Sequence, residues 1–375
     1  RDGVPLGNGG TLKILSDVRG DDETGLREDI ADNRILRLAY RLHKTGDPVI
    51  FVSKDINARL KADALGLQAE DFARQKVNFD ELYTGYSEIT VPGTMIDAFF
   101  KNKVLNADEL RFFPNEFVLL KDRANEKHTA LGRIVKPGTM KHLSSQYEEV
   151  WNIQARNKEQ RLAVELLMDP EVQIVTLVGQ AGTGKTLLAL AAGLHMTLRH
   201  RRYDRILVSR PVIPMGKDIG YLPGAKEEKL SHWMQPIFDN LTYLLREVAG
   251  ESGGRKKKIK PTAQEKAEKL LRENVLVLEA LTYIRGRSIP GQYVIVDEAQ
   301  NLTPHEVKTI VSRAGENTKM VLTGDPYQID NPYLDASSNG LIYAAERLKE
   351  QTIHGHVTLK NSVRSTLAAV AAEYL

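Results

Sequence analysis

The carboxyl-terminal part of the chain, residues 146–375, alternates short apolar runs with longer amphipathic stretches. A strand that is half exposed alternates polar and apolar residues, whereas a strand covered by helices on both faces is apolar throughout. The runs before Asp297 and Gly324 are nearly all apolar and so of the second kind, and the series predicts a parallel, doubly wound α/β sheet. The strand candidates are Gln173–Val178, Arg205–Ser209, Val275–Leu278, Tyr293–Val296, Lys319–Thr323 and Val357–Leu359.

The first part of the chain, residues 1–77, also has an α/β pattern. Apolar residues recur at helical spacing in its two helix candidates, and Gly66 is placed to end the second helix. Two short apolar runs are strand candidates. The predicted order is a strand at Leu12–Leu15, a helix at Asp29–His43, a strand at Val49–Val52 and a helix from Asp55 to Leu65.

The segment between these parts, residues 78–145, has short alternating stretches separated by Pro, Gly and Asn. Phe117–Lys121 and Gly132–Val135 are two of them, and they predict a small β-rich module or an elaborate linker. The tetrapeptide Pro-Gly-Thr-Met occurs at Pro92–Met95 and at Pro137–Met140. It predicts two similar turns. The chain is therefore expected to have three parts, 1–77, 78–145 and 146–375.

The amino-acid composition excludes some classes of protein but leaves the binding partners open. Cysteine is absent, which excludes disulfides, zinc ribbons and thiol catalysis. No apolar run approaches the roughly 18 residues needed to span a bilayer, so we expect a cytoplasmic protein with no membrane partner. The net charge of +3, from 52 basic and 49 acidic residues, says little about partners. Local basic clusters at Arg199–Arg202 and Arg255–Lys260 are candidates for phosphate contacts or for solvated surface.

A glycine-rich segment follows the strand candidate Gln173–Val178 and precedes a helical pattern at Leu187–Arg199. It matches G-x-x-x-x-G-K-[ST] in full, a motif whose backbone N–H groups wrap a phosphate at a helix amino terminus. In this motif Lys185 reaches the β- and γ-phosphates of ATP, and the Thr186 hydroxyl binds Mg²⁺. A plain glycine turn is the alternative, which the full match disfavours. The predicted ATP-binding residues are Gly179, Gln180, Ala181, Gly182, Thr183, Gly184, Lys185 and Thr186.

Two further strand candidates end in residues that suit phosphate chemistry. After Val296, Asp297 would hold Mg²⁺ directly or through water, and Glu298 would polarise the attacking water. Alone this pair would suggest a helix cap, but the glycine-rich segment favours a functional role. After Thr323, the segment Gly-Asp-Pro-Tyr-Gln makes Gln328 a candidate sensor of the γ-phosphate, with Thr323 and Asp325 positioning it. A simple turn is the open alternative.

At these residues the sequence resembles a known family. Asp297–Thr303 and Leu322–Asp330 are similar to the PhoH ATPases, which resemble a single RecA-like motor domain of superfamily 1 helicases. The resemblance covers about residues 146–375. It implies that Gln160, in Asn-Lys-Glu-Gln, contacts adenine. It also implies that Ser-Arg-Pro at 209–211 touches nucleic acid.

The resemblance further implies an oligomer. A single RecA-like domain lacks the second lobe that supplies an arginine finger, so Arg364 is the candidate finger of a neighbouring subunit in a ring that is expected to be hexameric. A surface salt bridge is the open alternative for Arg364.

The first part of the chain resembles a PIN domain, the ribonuclease module fused to PhoH in one branch of the family. Such domains gather about four carboxylates around Mg²⁺ or Mn²⁺. Asp32 and Asp55 match two of them, and each has a plainer alternative as a helix cap or turn residue. The strand that ends in the first metal-binding Asp and the Glu that follows it are missing before Gly10. We therefore expect the chain to begin within the domain, with a weakened metal site.

Together these features predict an ATP-driven RNA motor coupled to a PIN ribonuclease, acting on RNA that is single-stranded or has an overhang. A P-loop kinase is one alternative, although the pair of Asp297 and Glu298 suits water activation better. A regulator that uses ATP only to assemble is another. His354 and His356 alternate on a strand candidate and are interpreted as structural, and Tyr83 and Tyr86 are candidate base-stacking residues.

Overall fold

The computed structural model describes residues 3–7, 9–15, 24–26, 30–53, 55–70, 82–107, 110–211, 234–246, 261–284 and 286–362. The chain divides into two compact units, residues 1–74 and residues 75–375. Within the described residues, no helix combines the length and the apolar character needed to cross a membrane.

Unit 1–74 contains the predicted alternation of strands and helices. Leu36 and Phe51 pack with Ala58, Ala62 and Leu67 in its core. The first predicted strand, Leu12–Leu15, is shorter than expected: the strand observed there ends at Leu12, and Ile14 beyond it is 91% exposed. The elements are β1 (Val4–Pro5), β2 (Thr11–Leu12), α1 (Ala31–Lys44), β3 (Ile50–Val52), α2 (Ile56–Ala64) and β4 (Gln68–Glu70). β1 pairs antiparallel with β2, and β3 pairs parallel with β4.

The first half of unit 75–375 is a five-stranded sheet in the order β5-β7-β8-β9-β6, which agrees with the predicted β-rich module. Ile96 and Phe99 of its single described helix pack against Val118 and Leu120. The elements are β5 (Tyr86–Val91), α3 (Gly93–Asn102), β6 (Val104–Asn106), β7 (Phe117–Asp122), β8 (Thr129–Lys136) and β9 (Thr139–His142). A short hairpin of β10 (Glu149–Val150) and β11 (Ile153–Gln154) follows.

The prediction that the two Pro-Gly-Thr-Met segments make similar turns is wrong. Pro92 caps the amino terminus of α3, a position that suits proline because the first turn of a helix needs no N–H from it. The second segment joins β8 to β9, and Gly138 takes the left-handed φ of +72° that this tight connection requires. Apolar residues at helical spacing follow Pro92, and this pattern distinguishes the segment that begins a helix from the segment that makes a turn.

The second half of the unit is built on a six-stranded parallel sheet in the order β14-β13-β15-β16-β12-β17. All the predicted strands are confirmed, and so is the α/β class with a parallel sheet that carries the glycine-rich loop. Along the P-loop strand, Val175 and Leu177 face one core while Ile174 and Val178 face the other. This two-sided burial explains why this strand is nearly all apolar. The strands are β12 (Ile174–Gly179), β13 (Arg205–Arg210), β14 (Leu276–Ala280), β15 (Gln292–Val296), β16 (Lys319–Gly324) and β17 (His354–Leu359).

The described helices of this half lie before, between and after these strands in sequence. They are α4 (Lys158–Met168), α5 (Lys185–Leu194), α6 (Gln235–Leu245), α7 (Ala263–Arg272), α8 (Leu281–Ile284), α9 (Pro304–Val311) and α10 (Gly340–Leu348). The predicted helix Leu187–Arg199 is confirmed as α5 continued by a π-helical segment at His195–Arg199.

The β-rich module docks on the edge strand of the parallel sheet. The Asn115 side-chain amide donates 2.8 Å hydrogen bonds to the backbone carbonyls of Thr352 and His354. Thr358 N donates to Thr84 O at 3.1 Å. Both sheets therefore belong to one compact unit, and the boundary predicted between residues 145 and 146 stays a prediction.

His354 and His356 tie β17 to β12. The hydroxyl oxygen of Thr176 lies 2.9 Å from His354 Nε2 and 2.7 Å from His356 Nδ1. Burial lowers the pKa of His354 to about 4 and, together with the charge of His354, lowers the pKa of His356 to about 3. Both rings are therefore neutral at pH 7, which agrees with the structural role expected for them.

Stability should fall in mild acid because of these histidines. Their pKa values in the folded protein lie below the ordinary 6.5, so the stabilising neutral form is complete above that pH and its contribution is lost as the pH falls toward 4. The loss is about 1.4 kcal/mol per pH unit for each histidine. We expect His356→Gln to remove about half of it, and exposed His305→Gln to remove almost none.

The free energy of unfolding in urea, measured by tryptophan fluorescence at two pH values, checks this expectation. Both tryptophans, Trp151 and Trp233, belong to unit 75–375. Equal acid sensitivity in wild type and His356→Gln would contradict it.

Candidate nucleotide site

The glycine-rich loop joins β12 to α5, at the carboxyl edge of the parallel sheet. Gly182 and Gly184 have left-handed φ values of +83° and +90°, which a residue with a Cβ rarely adopts. A Cβ on Gly179 would collide with the backbone carbonyl of Leu359 on β17. These glycines let the loop turn tightly into the amino terminus of α5, where N–H groups and the helix dipole favour phosphate.

Lys185 lies buried under this loop. Its ammonium group donates to the backbone carbonyls of Gly179, at 2.6 Å, and Gln180, at 2.9 Å. The charge is therefore held at the loop that would bind phosphate, as the sequence motif predicts. Phosphate oxygens are stronger acceptors for an ammonium group than backbone carbonyls are.

Asp297 meets the loop from the end of β15. One oxygen of its carboxylate accepts hydrogen bonds from the hydroxyl groups of Thr186, at 2.8 Å, and Thr323, at 2.6 Å. Burial raises the pKa of Asp297, and the neighbouring charge of Glu298 raises it further. The hydroxyl bonds and Arg210 act in the opposite direction.

The pair of Thr186 and Asp297 fits Mg²⁺. Magnesium prefers oxygen ligands and usually takes only one or two from the protein, with water and substrate phosphates completing its octahedron. A hydroxyl and a carboxylate oxygen 2.8 Å apart, beside a phosphate loop, are donors of this kind. The assignment of these two residues to Mg²⁺ remains a prediction that the geometry supports.

Glu298 has a left-handed backbone, with φ of +57°, which is uncommon for a residue other than glycine. One of its carboxylate oxygens accepts from the Arg210 guanidinium at 3.2 Å, and the other accepts from the Gln300 amide at 2.7 Å. Arg210 Nε also lies 3.5 Å from the second oxygen of Asp297. Since β13 and β15 are neighbours, Arg210 reaches the two acids, a contact that the sequence did not predict.

Gln300 is a site residue that the sequence analysis missed. Its side chain is fully buried, and its amide nitrogen donates to Glu298 and to the backbone carbonyl of Gln328, at 2.8 Å. Its amide oxygen accepts from Asp325 N at 3.2 Å. One side chain therefore joins the proposed water-activating acid to the segment after β16. Only the neighbourhood of Asp297 and Glu298 in the sequence hinted at such a role.

In the segment after β16, the side chain that contacts the glycine-rich loop is not the one that the sequence favours. The side chain of Gln328 is exposed, and its backbone carbonyl is the part that contacts Gln300. Asp325 instead reaches the glycine-rich loop, where its carboxylate accepts from Ala181 N at 3.0 Å. The role of Gln328 as a phosphate sensor stays a prediction, and Asp325 is the described side chain of this segment that contacts the loop.

Gln160 also contacts the loop. Its amide nitrogen donates to the carbonyl of Thr183 at 3.0 Å, and its amide oxygen accepts from Arg156 N at 2.9 Å. The adenine contact implied by the resemblance stays a prediction. The structure shows that Gln160 braces the loop against the start of α4.

Three other predictions concern Arg364, the basic cluster Arg255–Lys260 and the two tyrosines proposed to stack on bases. Arg364 and the cluster Arg255–Lys260 lie outside the described residues. Tyr83 is not a free stacking residue, because it packs edge-on against Phe113 with ring centroids 5.1 Å apart. Tyr86 is covered by the ammonium group of Lys158, 3.7 Å from its ring centroid.

The two candidate PIN acids lie at helix starts. Asp55 caps α2 by accepting from Asn57 N at 2.7 Å and Ala58 N at 3.3 Å, and Asp32 lies in the first turn of α1. Among the residues that the structure describes, no group of three or more histidine or acidic side chains could hold a metal ion. The assignment of Asp32 and Asp55 to the metal site of a PIN nuclease stays a prediction.

Comparison with known proteins identifies both parts of the chain. The profile of the family described as "PhoH-like protein" matches residues 152–374, and that of the family described as "PIN domain" matches residues 8–73. Protein PhoH2 of Bacillus subtilis (strain 168) is 46% identical, over 99% of this chain and 84% of that protein. Protein PhoH2 of Mycolicibacterium smegmatis is 37% identical, over 99% of this chain and 81% of that protein.

Solved structures are more distant. The Pif1 helicase from Candida albicans is 14% identical, covers 59% of this chain and 43% of that chain, and has a TM-score of 0.29. The Sulfolobus solfataricus SWI2/SNF2 ATPase core in complex with dsDNA is 15% identical, covers 58% of this chain and 47% of that chain, and has a TM-score of 0.31.

Proposed function

Since the chain belongs to the PhoH family and carries a PIN domain ahead of its PhoH-like region, we propose that it is an ATP-driven motor that acts on RNA and supplies that RNA to a PIN ribonuclease. One observation carries the motor proposal: Lys185, Thr186, Asp297 and Glu298 meet at one edge of the parallel sheet. The same edge bears an ordered loop with exposed aromatic side chains.

The residues of this edge divide the work of ATP hydrolysis. The loop N–H groups and Lys185 bind the phosphates, and Thr186 and Asp297 hold the Mg²⁺ that neutralises phosphate charge when it is bound. Glu298, whose carboxylate is oriented by Arg210 and Gln300, positions the attacking water. A water-orienting acid beside the metal ligand favours hydrolysis over phosphate transfer to another acceptor, which disfavours the kinase alternative.

The loop after β16 supports RNA as the partner. Tyr327 and Tyr333 are 66% and 62% exposed. Nucleobases of any kind can stack on exposed aromatic rings, so such contacts do not depend on the RNA sequence. The loop is held in place by Asn301, whose side-chain oxygen accepts from Asp330 N at 2.7 Å and Asn331 N at 3.3 Å. We propose that these tyrosines contact single-stranded RNA and that Gln300 links that contact to Glu298.

The proposal includes a ring. Arg364 of a neighbouring subunit would complete the phosphate site, and a hexamer would close the heterologous contacts. An assembly that binds ATP without turnover is the competing function, and phosphate release separates the two.

Replacing both exposed tyrosines should separate RNA binding from ATP hydrolysis. Base stacking is worth about 1–3 kcal/mol per base, so Tyr327→Ala with Tyr333→Ala should weaken binding to single-stranded RNA by about tenfold or more. It should also abolish stimulation of ATP hydrolysis by RNA and leave the unstimulated rate within about twofold. Fluorescence anisotropy and phosphate release measure these quantities.

Tyr243→Ala is the matched control, because that tyrosine is exposed on α6. If the double variant binds and responds to RNA as wild type does, the tyrosine contact is refuted. If RNA of any kind leaves the wild-type ATPase rate unchanged, the motor proposal fails.

We propose ribonuclease activity for the PIN domain on the strength of the family match at residues 8–73. Asp55 provides a clean test because its capping and catalytic roles can be separated. Asn caps helices about as well as Asp does but is a poor ligand for a hard divalent cation. Asp55→Asn should therefore keep the melting temperature and lose about tenfold or more of the RNA cleavage rate in Mg²⁺ or Mn²⁺.

Cleavage of labelled RNA on a gel measures the effect, with exposed Asp63→Asn of the same helix as control. If Asp55→Asn cleaves RNA at the wild-type rate, Asp55 serves only to cap the helix.

A further inference from the structure

The glycine-rich loop already has an anionic partner within the protein. Asp325 lies at the end of β16, is buried, and accepts a 3.0 Å hydrogen bond from Ala181 N. Backbone N–H groups of this loop are the donors that bind phosphate oxygens. We propose that the Asp325 carboxylate competes with the terminal phosphate of ATP for the Ala181 N–H group, and so reports whether a triphosphate is bound. The inference rests on the proposed ATP hydrolysis at this site.

Strand order places Asp325 at the terminal-phosphate end of the loop. β16 lies between β12, which carries the loop, and β15, which carries Asp297. Asp325 therefore approaches from the side where the metal-binding acid lies. Thr186 and Asp297 would hold the Mg²⁺ that neutralises the charge of the terminal phosphates, so this is the side of the terminal phosphate.

A carboxylate and a phosphate oxygen cannot both accept the same short hydrogen bond, and their like charges repel across a few ångström. Binding of a triphosphate must therefore release Asp325 from Ala181. A diphosphate, which lacks the terminal group, leaves that contact in place. The exchange makes Asp325 a residue that discriminates ATP from ADP by lowering the affinity for ATP.

Release of Asp325 has a route to the rest of the site. Its second carboxylate oxygen accepts from Tyr327 N at 3.0 Å, and its backbone N–H donates to the Gln300 amide. Gln300 in turn contacts Glu298. A shift of Asp325 is thereby transmitted both to the water-activating acid and to the loop with the exposed tyrosines. It is a positioning residue, since it acts through Gln300 rather than on the reacting atoms.

The test is the nucleotide affinity of Asp325→Asn in the full chain. Asn keeps the size and the turn but removes the charge that opposes phosphate. We expect a non-hydrolysable ATP analogue with Mg²⁺ to bind about fivefold or more tightly than to wild type, and ADP to change by less than about twofold. Isothermal titration calorimetry measures both. Asp325→Glu, which keeps the charge, should not gain affinity for the ATP analogue.

Asp330→Asn is the matched control, because that acid lies in the same loop and its backbone N–H contacts Asn301. Unchanged or weaker binding of the ATP analogue by Asp325→Asn would overturn the inference, and so would an equal gain by Asp330→Asn. A structural role alone predicts weaker binding and a lower melting temperature. If wild type binds and hydrolyses ATP while Asp325→Asn gains nothing, only this inference fails. If wild type does not bind the ATP analogue, the proposed function fails.

Discussion

The buried amide of Gln300 is the contact on which the rest of the site depends. It donates to Glu298 and to the carbonyl of Gln328, and it accepts from Asp325 N. A buried amide whose partners are all satisfied holds those partners in one arrangement, because losing any of them leaves a polar group unpaired. The acid proposed to activate water therefore cannot move independently of the segment after β16.

Parallel topology explains why so many functional groups meet there. In a parallel sheet the carboxyl ends of neighbouring strands lie at the same edge, and this is where ligands bind in open α/β folds. β12 brings the glycine-rich loop, β15 brings Asp297 and β16 brings Asp325 to that edge. At the lateral edge of the sheet, β17 is joined to β12 by buried histidines and contacts the docked β-rich module. The fold thus leaves one edge for phosphate chemistry and uses the other contacts for stability.

Sequence predicted the features whose signals are local. The predicted strands are short, mainly apolar runs, and the phosphate loop is a contiguous motif, so both could be recognised without the fold. The contacts that orient the site could not be, because their partners are distant in the chain: Arg210 and Glu298 are 88 residues apart, and Ala181 and Asp325 are 144 apart. The sequence favours Gln328 over Asp325 as the phosphate sensor, because nothing local shows which side chain of a turn points inward. The first Pro-Gly-Thr-Met segment begins a helix instead of making a turn, because apolar residues at helical spacing follow Pro92.

The central claim, that Gln300 couples hydrolysis to the loop with the exposed tyrosines, is tested most directly by single-turnover ATP hydrolysis of Gln300→Met with and without single-stranded RNA. Met keeps the length of the side chain but makes none of its hydrogen bonds. The account predicts hydrolysis slower by about tenfold or more and insensitive to RNA, with affinity for an ATP analogue kept within about twofold. Hydrolysis by Gln300→Met at the wild-type rate, still accelerated by RNA, would contradict the account.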